Sequence, residues 1–229
     1  MTLYDKFIKE IFDILPKDMK RFEYEKSTLK KGDKNSIILL RDTAYELGGS
    51  QKPCLTTTVV SSDITFDNCV YLYGKDLTEI KEDCPFGKFV FLQINDIPEE
   101  EAFDKIKELE QVRYNYCPEG LMTRASALNL REQIRVSKKA IKKGITFKDY
   151  GNVLIDEYKK NPLVKSVQIV FLTQFEDFDS LYMLCDKIKS TTSALNHILD
   201  NILFDCSSCN LKEICDEVEG MKELHMKRK

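Results

Sequence analysis

The sequence has no apolar run approaching the roughly 20 residues needed to cross a bilayer, so no membrane-spanning helix is expected. It has no excess of basic charge either. Its 35 Lys and Arg against 38 Asp and Glu give a net charge of -3 with both signs interspersed, so a nucleic-acid polyanion is not the expected partner. Histidine is scarce. His197 has apolar neighbours, as a packed side chain does, and no Ser/His/Asp arrangement is visible. The glycine-rich phosphate loops are missing too. ELGGSQKP, residues 46–53, pairs two glycines but has neither the Walker lysine–serine nor a GxGxxG, and reads as a turn. There is no internal repeat and no low-complexity linker. The N-terminal MTLYDKFIKEIFDIL has acids among its apolar residues and no small-residue cleavage site. It reads as an amphipathic helix rather than a signal peptide, and a cytoplasmic location is the expectation.

What is present fits a soluble globular protein: 42% apolar and 32% charged residues in 229. That length suits one large domain or one domain with an appendage. Along the chain, RFEYEKSTL alternates as a strand does, and NSIILLRD is a short apolar run that predicts a buried strand. LTTTVVSS, NCVYLY, KFVFLQI and VKSVQIVFLT are further strand candidates. KDLTEIKE predicts a short helix and CPFG a turn. PEEEAFDKIKELEQVRYNY predicts a helix opened by proline and acids. Ser137 is a plausible N-cap for SKKAIKKG with Gly144 as its stop, and Thr146 for FKDYGNVLIDEYKKN. FEDFDSLYMLCDKIK predicts a helix through Phe178, Leu181, Tyr182, Cys185 and Ile188, and STTSALNHILDN a hinge. Strands concentrate in the first half and mix with helices. The expected fold is α+β, a mixed sheet with packed helices, as a single main domain over residues 1–200 with a short Cys-rich helical tail over 201–229.

Eight cysteines in a reducing compartment do not predict a disulfide framework. Cys69 and Cys185 have apolar neighbours and read as buried hydrophobes. Cys54, Cys84 and Cys117 stand beside prolines or near glycines, so they are expected in loops. The tail differs. In FDCSSCNLKEICDEVEG, Cys206 and Cys209 have the CxxC spacing, which points two sulfurs the same way from a tight turn, and Cys215 follows six residues on. Asn210 with Glu213 resembles a capping box that would open a helix carrying Cys215. These three thiols are candidate ligands for a [4Fe-4S] cluster or for zinc, and spacing alone does not separate the two. The fourth ligand is sought among Cys117, Cys84, Cys54 and His225. His225 would be about 15 Å from Cys215 on one unbroken helix, whereas Cys117 and Cys84 each carry the Cys-Pro step found among iron–sulfur ligands. The most basic stretch holds Arg124, Arg131, Arg135, Lys138, Lys139, Lys142 and Lys143, residue types that can clamp a phosphorylated ligand. The sequence names no catalytic residue.

Five stretches carry a resemblance: AYELGG, VYLYGKDLTEI, PFGKFVFLQI, IRVSKKAIKKGITFKDYGNVLIDEYKK and KSVQIVFLT. In this order, over about residues 43–190, the chain resembles the middle region of acetyl-CoA synthase, the nickel and iron–sulfur subunit of the carbon monoxide dehydrogenase/acetyl-CoA synthase complex. The resemblance implies an α+β domain from the acetate or carbon-fixing metabolism of an anaerobe. It also implies a place beside an active-site domain and arginines directed at coenzyme A. Arg135 matches such an arginine, with Arg131 and Lys138 beside it as candidate coenzyme A contacts. Gln133 stands where the family has Trp, and CSSCNLKEIC does not match the family's cysteine spacing. The family's nickel site lies in a later domain with its own cysteines and a Gly-Cys-Gly segment. The expected function is therefore a stand-alone iron–sulfur accessory, electron-transfer or assembly protein of acetyl-CoA metabolism. Its expected partners are the subunits of the complex or a corrinoid protein, with no nucleic acid and no membrane. The alternatives are a zinc-stapled non-catalytic module and an enzyme component handling coenzyme A or corrinoid-linked substrates.

Overall fold

Alternating burial builds the small sheet, and burial on both faces the long strands of the large one. The computed structural model describes residues 1–29, 32, 37–49, 51–126, 130–199, 209–218 and 220–221. Eight strands form among them: β1 (Lys20–Glu23), β2 (Thr43–Leu47), β3 (Cys54–Ser61), β4 (Cys69–Tyr73), β5 (Phe86–Ile94), β6 (Leu121–Ser126), β7 (Arg131–Ser137) and β8 (Val164–Leu172). Six helices accompany them: α1 (Asp5–Ile14), α2 (Ala102–Asn115), α3 (Lys138–Lys142), α4 (Phe147–Tyr158), α5 (Phe178–Leu199) and α6 (Lys212–Glu217). A five-stranded mixed sheet runs β1-β4-β8-β5-β3, and a three-stranded antiparallel sheet runs β2-β7-β6. The fold is α+β, as the sequence predicts.

In the large sheet β3 pairs parallel to β5 and β4 parallel to β8, while β5 and β8 run antiparallel. Its inner strands read as near-continuous apolar runs because helices cover both faces. On one face Phe12 of α1 stacks on Phe91, with ring centroids 4.6 Å apart. On the other, Phe147 and Tyr150 of α4 stack on Phe171 at 4.7 and 5.3 Å. The approach of α4 is close because residue 151 is glycine. A Cβ there would sit 2.9 Å from Val70 Cγ1 and closer still to Cγ2. Helix α4 opens with the capping box its sequence announces, Thr146 and Asp149 exchanging side-chain and backbone hydrogen bonds. Ser137 caps α3 through Ala140 N–H.

Several local expectations are overturned. NSIILLRD forms no buried strand over 37–39. Ile37 and Leu40 are 75% and 78% exposed, and Leu40–Asp42 is a 3-10 turn. The strand lies later, at Thr43–Leu47, inside what reads as the approach to a turn. KDLTEIKE forms turns rather than a helix. The Asp76 carboxylate is committed to the N–H groups of Leu77 and Phe147, which joins this loop to the start of α4. CPFG is no free turn, since Cys84 bridges to Leu47 and Phe86 already opens β5. The strand read in RFEYEKSTL is confined to Lys20–Glu23. The expected hinge is helix, because α5 continues to Leu199. Thr191, Thr192 and Ser193 donate their hydroxyls to carbonyls one turn back, so the polar run is satisfied within the helix. Helix α6 starts at Lys212 without the Asn210–Glu213 box.

The described part of the tail packs onto the main body. Ile214, Val218 and Met221 belong to the same buried cluster as α1 and the sheets. Lys6 and Lys187 both reach Glu217, at 3.0 and 2.8 Å, and hold its carboxyl below the ordinary value of 4.5. A depressed carboxylate contributes stability above its unfolded value and loses it as pH falls through the folded one. Exposed pairs of this kind contribute about 0.2–1 kcal/mol. Glu217→Gln is therefore expected to speed amide exchange in α6 a few-fold at pH 7. The wild type should show the same loosening once pH drops below about 4.5. Identical exchange in variant and wild type would mean that the apolar contacts alone hold α6.

Candidate functional site

The turn before β3, the first residue of β7 and the start of α5 enclose a groove of about 520 Å³. Lys52 and Arg131 line it, Phe178 and Tyr182 form an aromatic wall, and Glu176 and Asp179 stand on the α5 side. Tyr182, expected on the buried face of its helix, is 43% exposed here. Arg131 is aimed by its neighbour. Leu130 has φ +53, the left-handed region that costs a non-glycine residue about 1–2 kcal/mol. Burial of its side chain and a bond from Thr56 N–H to its carbonyl, 2.8 Å, hold it there. On the other wall the chain turns at Gly48, φ +63, where a Cβ would meet the Cys54 sulfur at 2.5 Å. Glycine is required there on both counts. The Cys54 thiol donates to the Glu132 carbonyl at 3.1 Å, and burial raises its pKa.

Behind the groove lies a buried polar layer where the two sheets meet. Lys88 of β5 and Glu132 of β7 form an ion pair with both side chains fully buried. Lys88 Nζ also lies 3.3 Å from the Tyr150 hydroxyl of α4. Glu132 Oε2 has no hydrogen-bond partner among the described residues. Desolvation lowers the pKa of Lys88 against the pull of Glu132, and burial raises Tyr150 well above its ordinary value. Cys117 faces the same layer. Its sulfur lies 3.3 Å from Thr123 Oγ1, and burial pushes the thiol up to about 11.

Of the basic residues singled out in the sequence, Arg131 alone among Arg131, Arg135 and Lys138 lines the groove. Arg135 is engaged internally: its Nε donates to Glu46 at 2.7 Å and its Nη1 to the Ile38 carbonyl at 2.8 Å. Lys138 donates to the Arg41 carbonyl at 2.8 Å. Cys206 and His225 lie outside the described residues, as does the 200/201 boundary. Cys209 and Cys215 flank the start of α6. Neither Cys117 nor Cys84 joins them, since no three His, Cys, Asp or Glu side chains converge among the described residues. Cys84 sits beside Leu47 and Gly48, and burial raises its thiol to about 11. That is the Cys54 end of β3, whereas Glu217 and Val218 face Asp63 beyond the other end, about 23 Å along the strand. Cys69 and Cys185 are fully buried, as expected. Lys52, Lys88, Glu132 and Tyr150 escaped the sequence reading. The available signal was a lysine inside the otherwise apolar FGKFVFLQI.

The architecture is an α+β fold with a groove of mixed charge beside the junction of its two sheets. A family model for the CO dehydrogenase/acetyl-CoA synthase complex beta subunit matches residues 30–178, from ahead of β2 to the first residue of α5. The chain belongs to this family. It is also 26% identical over 194 residues to the carbon monoxide dehydrogenase/acetyl-CoA synthase subunit alpha of Moorella thermoacetica. That match covers 82% of this chain and 25% of the relative, so the chain spans about a quarter of the length of the curated relative it matches.

Proposed function

We propose that the chain serves a CO dehydrogenase/acetyl-CoA synthase complex as an accessory component that binds the phosphorylated end of coenzyme A at the Lys52–Arg131 groove. The observation that carries this reading is the convergence of Lys52 and Arg131, both within the family match, beside the aromatic wall of Phe178 and Tyr182 at its end. An arginine fork suits a phosphate and Tyr182 offers a ring face for stacking. Glu176 and Asp179 can accept from the amide N–H groups of the pantetheine arm. Arg135, the arginine the resemblance points to, then acts as a brace, fixing the segment ahead of β2. The acetyl-forming chemistry belongs in this reading to metal-bearing parts of the complex.

Titration calorimetry with coenzyme A tests it. Arg131→Ala is expected to weaken binding about tenfold, as losing one charge-assisted phosphate contact does, and Arg135→Lys far less. Equal affinity of Arg131→Ala and wild type, or no binding at about 1 mM ligand, would remove the groove from consideration.

A second reading keeps the cysteine tail as a metal site. It is favoured by Cys209, whose sulfur accepts the Leu211 N–H at 3.4 Å, as metal-bound thiolates commonly do. The described residues offer Cys209 and Cys215. Cys206 would complete the set named from spacing, and the fourth thiolate would come from a rearranged Cys117 or Cys84. Metal and sulfide analysis of anaerobically purified protein, with Cys209→Ala as control, decides it. About four irons and four sulfides with a band near 400 nm supports an electron-transfer or assembly role. One colourless zinc supports a structural staple, and no bound metal removes this reading.

A further inference from the structure

The residues ahead of β2 carry an apolar ridge that none of the described residues covers. Ile37, Leu39 and Leu40 are 75%, 47% and 78% exposed, three large aliphatic side chains within four positions. Scattered surface hydrophobes need no explanation, but a contiguous run does. This run is also held rigidly. Ile38 is buried, its N–H meets Met122 Sδ at 3.3 Å and its carbonyl accepts from Arg135 Nη1 at 2.8 Å. The Leu39 carbonyl accepts from Asp42 N–H and from the Thr43 hydroxyl, each at 2.9 Å. The Arg41 carbonyl accepts from Lys138 Nζ. The backbone is pinned from both sides while the side chains face outward, so binding through them orders little that is not already ordered.

The rim of the ridge is basic in a protein whose net charge is -3. Arg41 and Lys138 are exposed beside it, and α3, packed on β2 and β7, adds Lys139 and Lys142, with Lys143 at its C-cap. Among the described residues only Asp42 and Glu119 form ion pairs with members of this group. A second copy would bring like charges face to face. The ridge is a short segment that ends in a 3-10 turn and has no aromatic residue, unlike the amphipathic helices that lie in membrane interfaces. We infer that Ile37, Leu39 and Leu40, rimmed by Arg41 and the α3 lysines, form a docking surface for a partner protein whose own apolar patch is edged with carboxylates. Because the chain belongs to a complex-subunit family and spans a quarter of its relative, the partner is sought within the complex. The inference rests on that membership and not on the coenzyme A groove.

The test uses the full chain and the purified CO dehydrogenase/acetyl-CoA synthase complex from the same organism, with binding followed by sedimentation. Ile37→Ser/Leu40→Ser is expected to weaken association tenfold or more, as truncation of central apolar contacts does. Raised salt is expected to weaken the wild type's association as well. The variant's far-UV spectrum and coenzyme A titration should match the wild type, which separates failure of the ridge from failure of the groove. Three results would overturn the inference. One is association with the complex that the double variant leaves unchanged, or none at all. Another is self-association that the variant abolishes, which would make a second copy the occupant. The last is co-sedimentation of wild type but not variant with anionic phosphatidylglycerol vesicles, which would make it a membrane contact.

Discussion

Lys88→Met is expected to cost about 3–5 kcal/mol of stability, because it leaves the Glu132 carboxylate buried without its cation. Both side chains are fully buried, and Glu132 Oε2 has no alternative hydrogen-bond partner among the described residues. For a domain whose whole stability is about 5–15 kcal/mol, that loss threatens folding itself. The informative comparison is therefore Lys88→Met/Glu132→Leu, which removes both charges and keeps the volume. Replacing a buried pair in this way is commonly neutral or stabilising. Urea unfolding is expected to return the double variant to within about 1 kcal/mol of wild type. A single variant as stable as wild type would show that the pair is not what holds the two sheets together. Since Lys88 belongs to β5 and Glu132 to β7, the pair also fixes the junction on which the groove opens.

Gly151→Ala carries the second large effect, and its sign is the point. In an exposed helix interior this change is worth about 1 kcal/mol of added stability. At position 151 the new methyl meets Val70, and overpacking of a tight core costs about 1–3 kcal/mol. We expect a net loss of about 1–2 kcal/mol. Tyr150, one residue away, would also shift against Lys88. Val70→Ala alone should destabilise by opening a cavity, but in the Gly151→Ala background its cost should shrink. A coupling of that kind is what neighbours show and distant sites do not. Stabilisation by Gly151→Ala alone would mean that α4 lifts off the sheet at little cost.

The core strands are legible because burial on both faces writes near-continuous apolar runs, as in KFVFLQI, and because β-branched residues mark LTTTVVSS as a strand. The caps at Ser137 and Thr146 were legible because capping is local chemistry. NSIILLRD was misread for an instructive reason. Its composition is that of a buried strand, yet its backbone is spoken for by Arg135, Met122 and Thr43, so no strand pairs with it. Apolar composition registered burial, and the burial it registers is what the inferred docking surface would supply. The candidate site was harder. Lys52 and Arg131 come from segments 79 positions apart (131 minus 52), which the Thr56–Leu130 and Cys54–Glu132 hydrogen bonds bring side by side. Arg135 looked like a ligand-binding arginine because its partner Glu46 is equally remote in sequence.

The strand order has a consequence for how this chain is made. Strand β8 lies between β4 and β5, pairing residues about 100 positions apart, such as Cys69 with Gln168. A ribosome delivers it last of the eight. Until Leu172 has emerged, the two halves of the large sheet, β1-β4 and β5-β3, face each other across an empty slot with both apolar edges open. Such edges recruit other strands, and pairings this distant form slowly. The growing chain is thus most exposed to misassembly in the interval between completing β5 and releasing β8, the 78 residues from Ile94 to Leu172 (172 minus 94), which include β6 and β7 of the small sheet. Strands β6 and β7 and helix α4 are synthesised in that interval, and β7 and α4 later supply Glu132 and Tyr150 against Lys88.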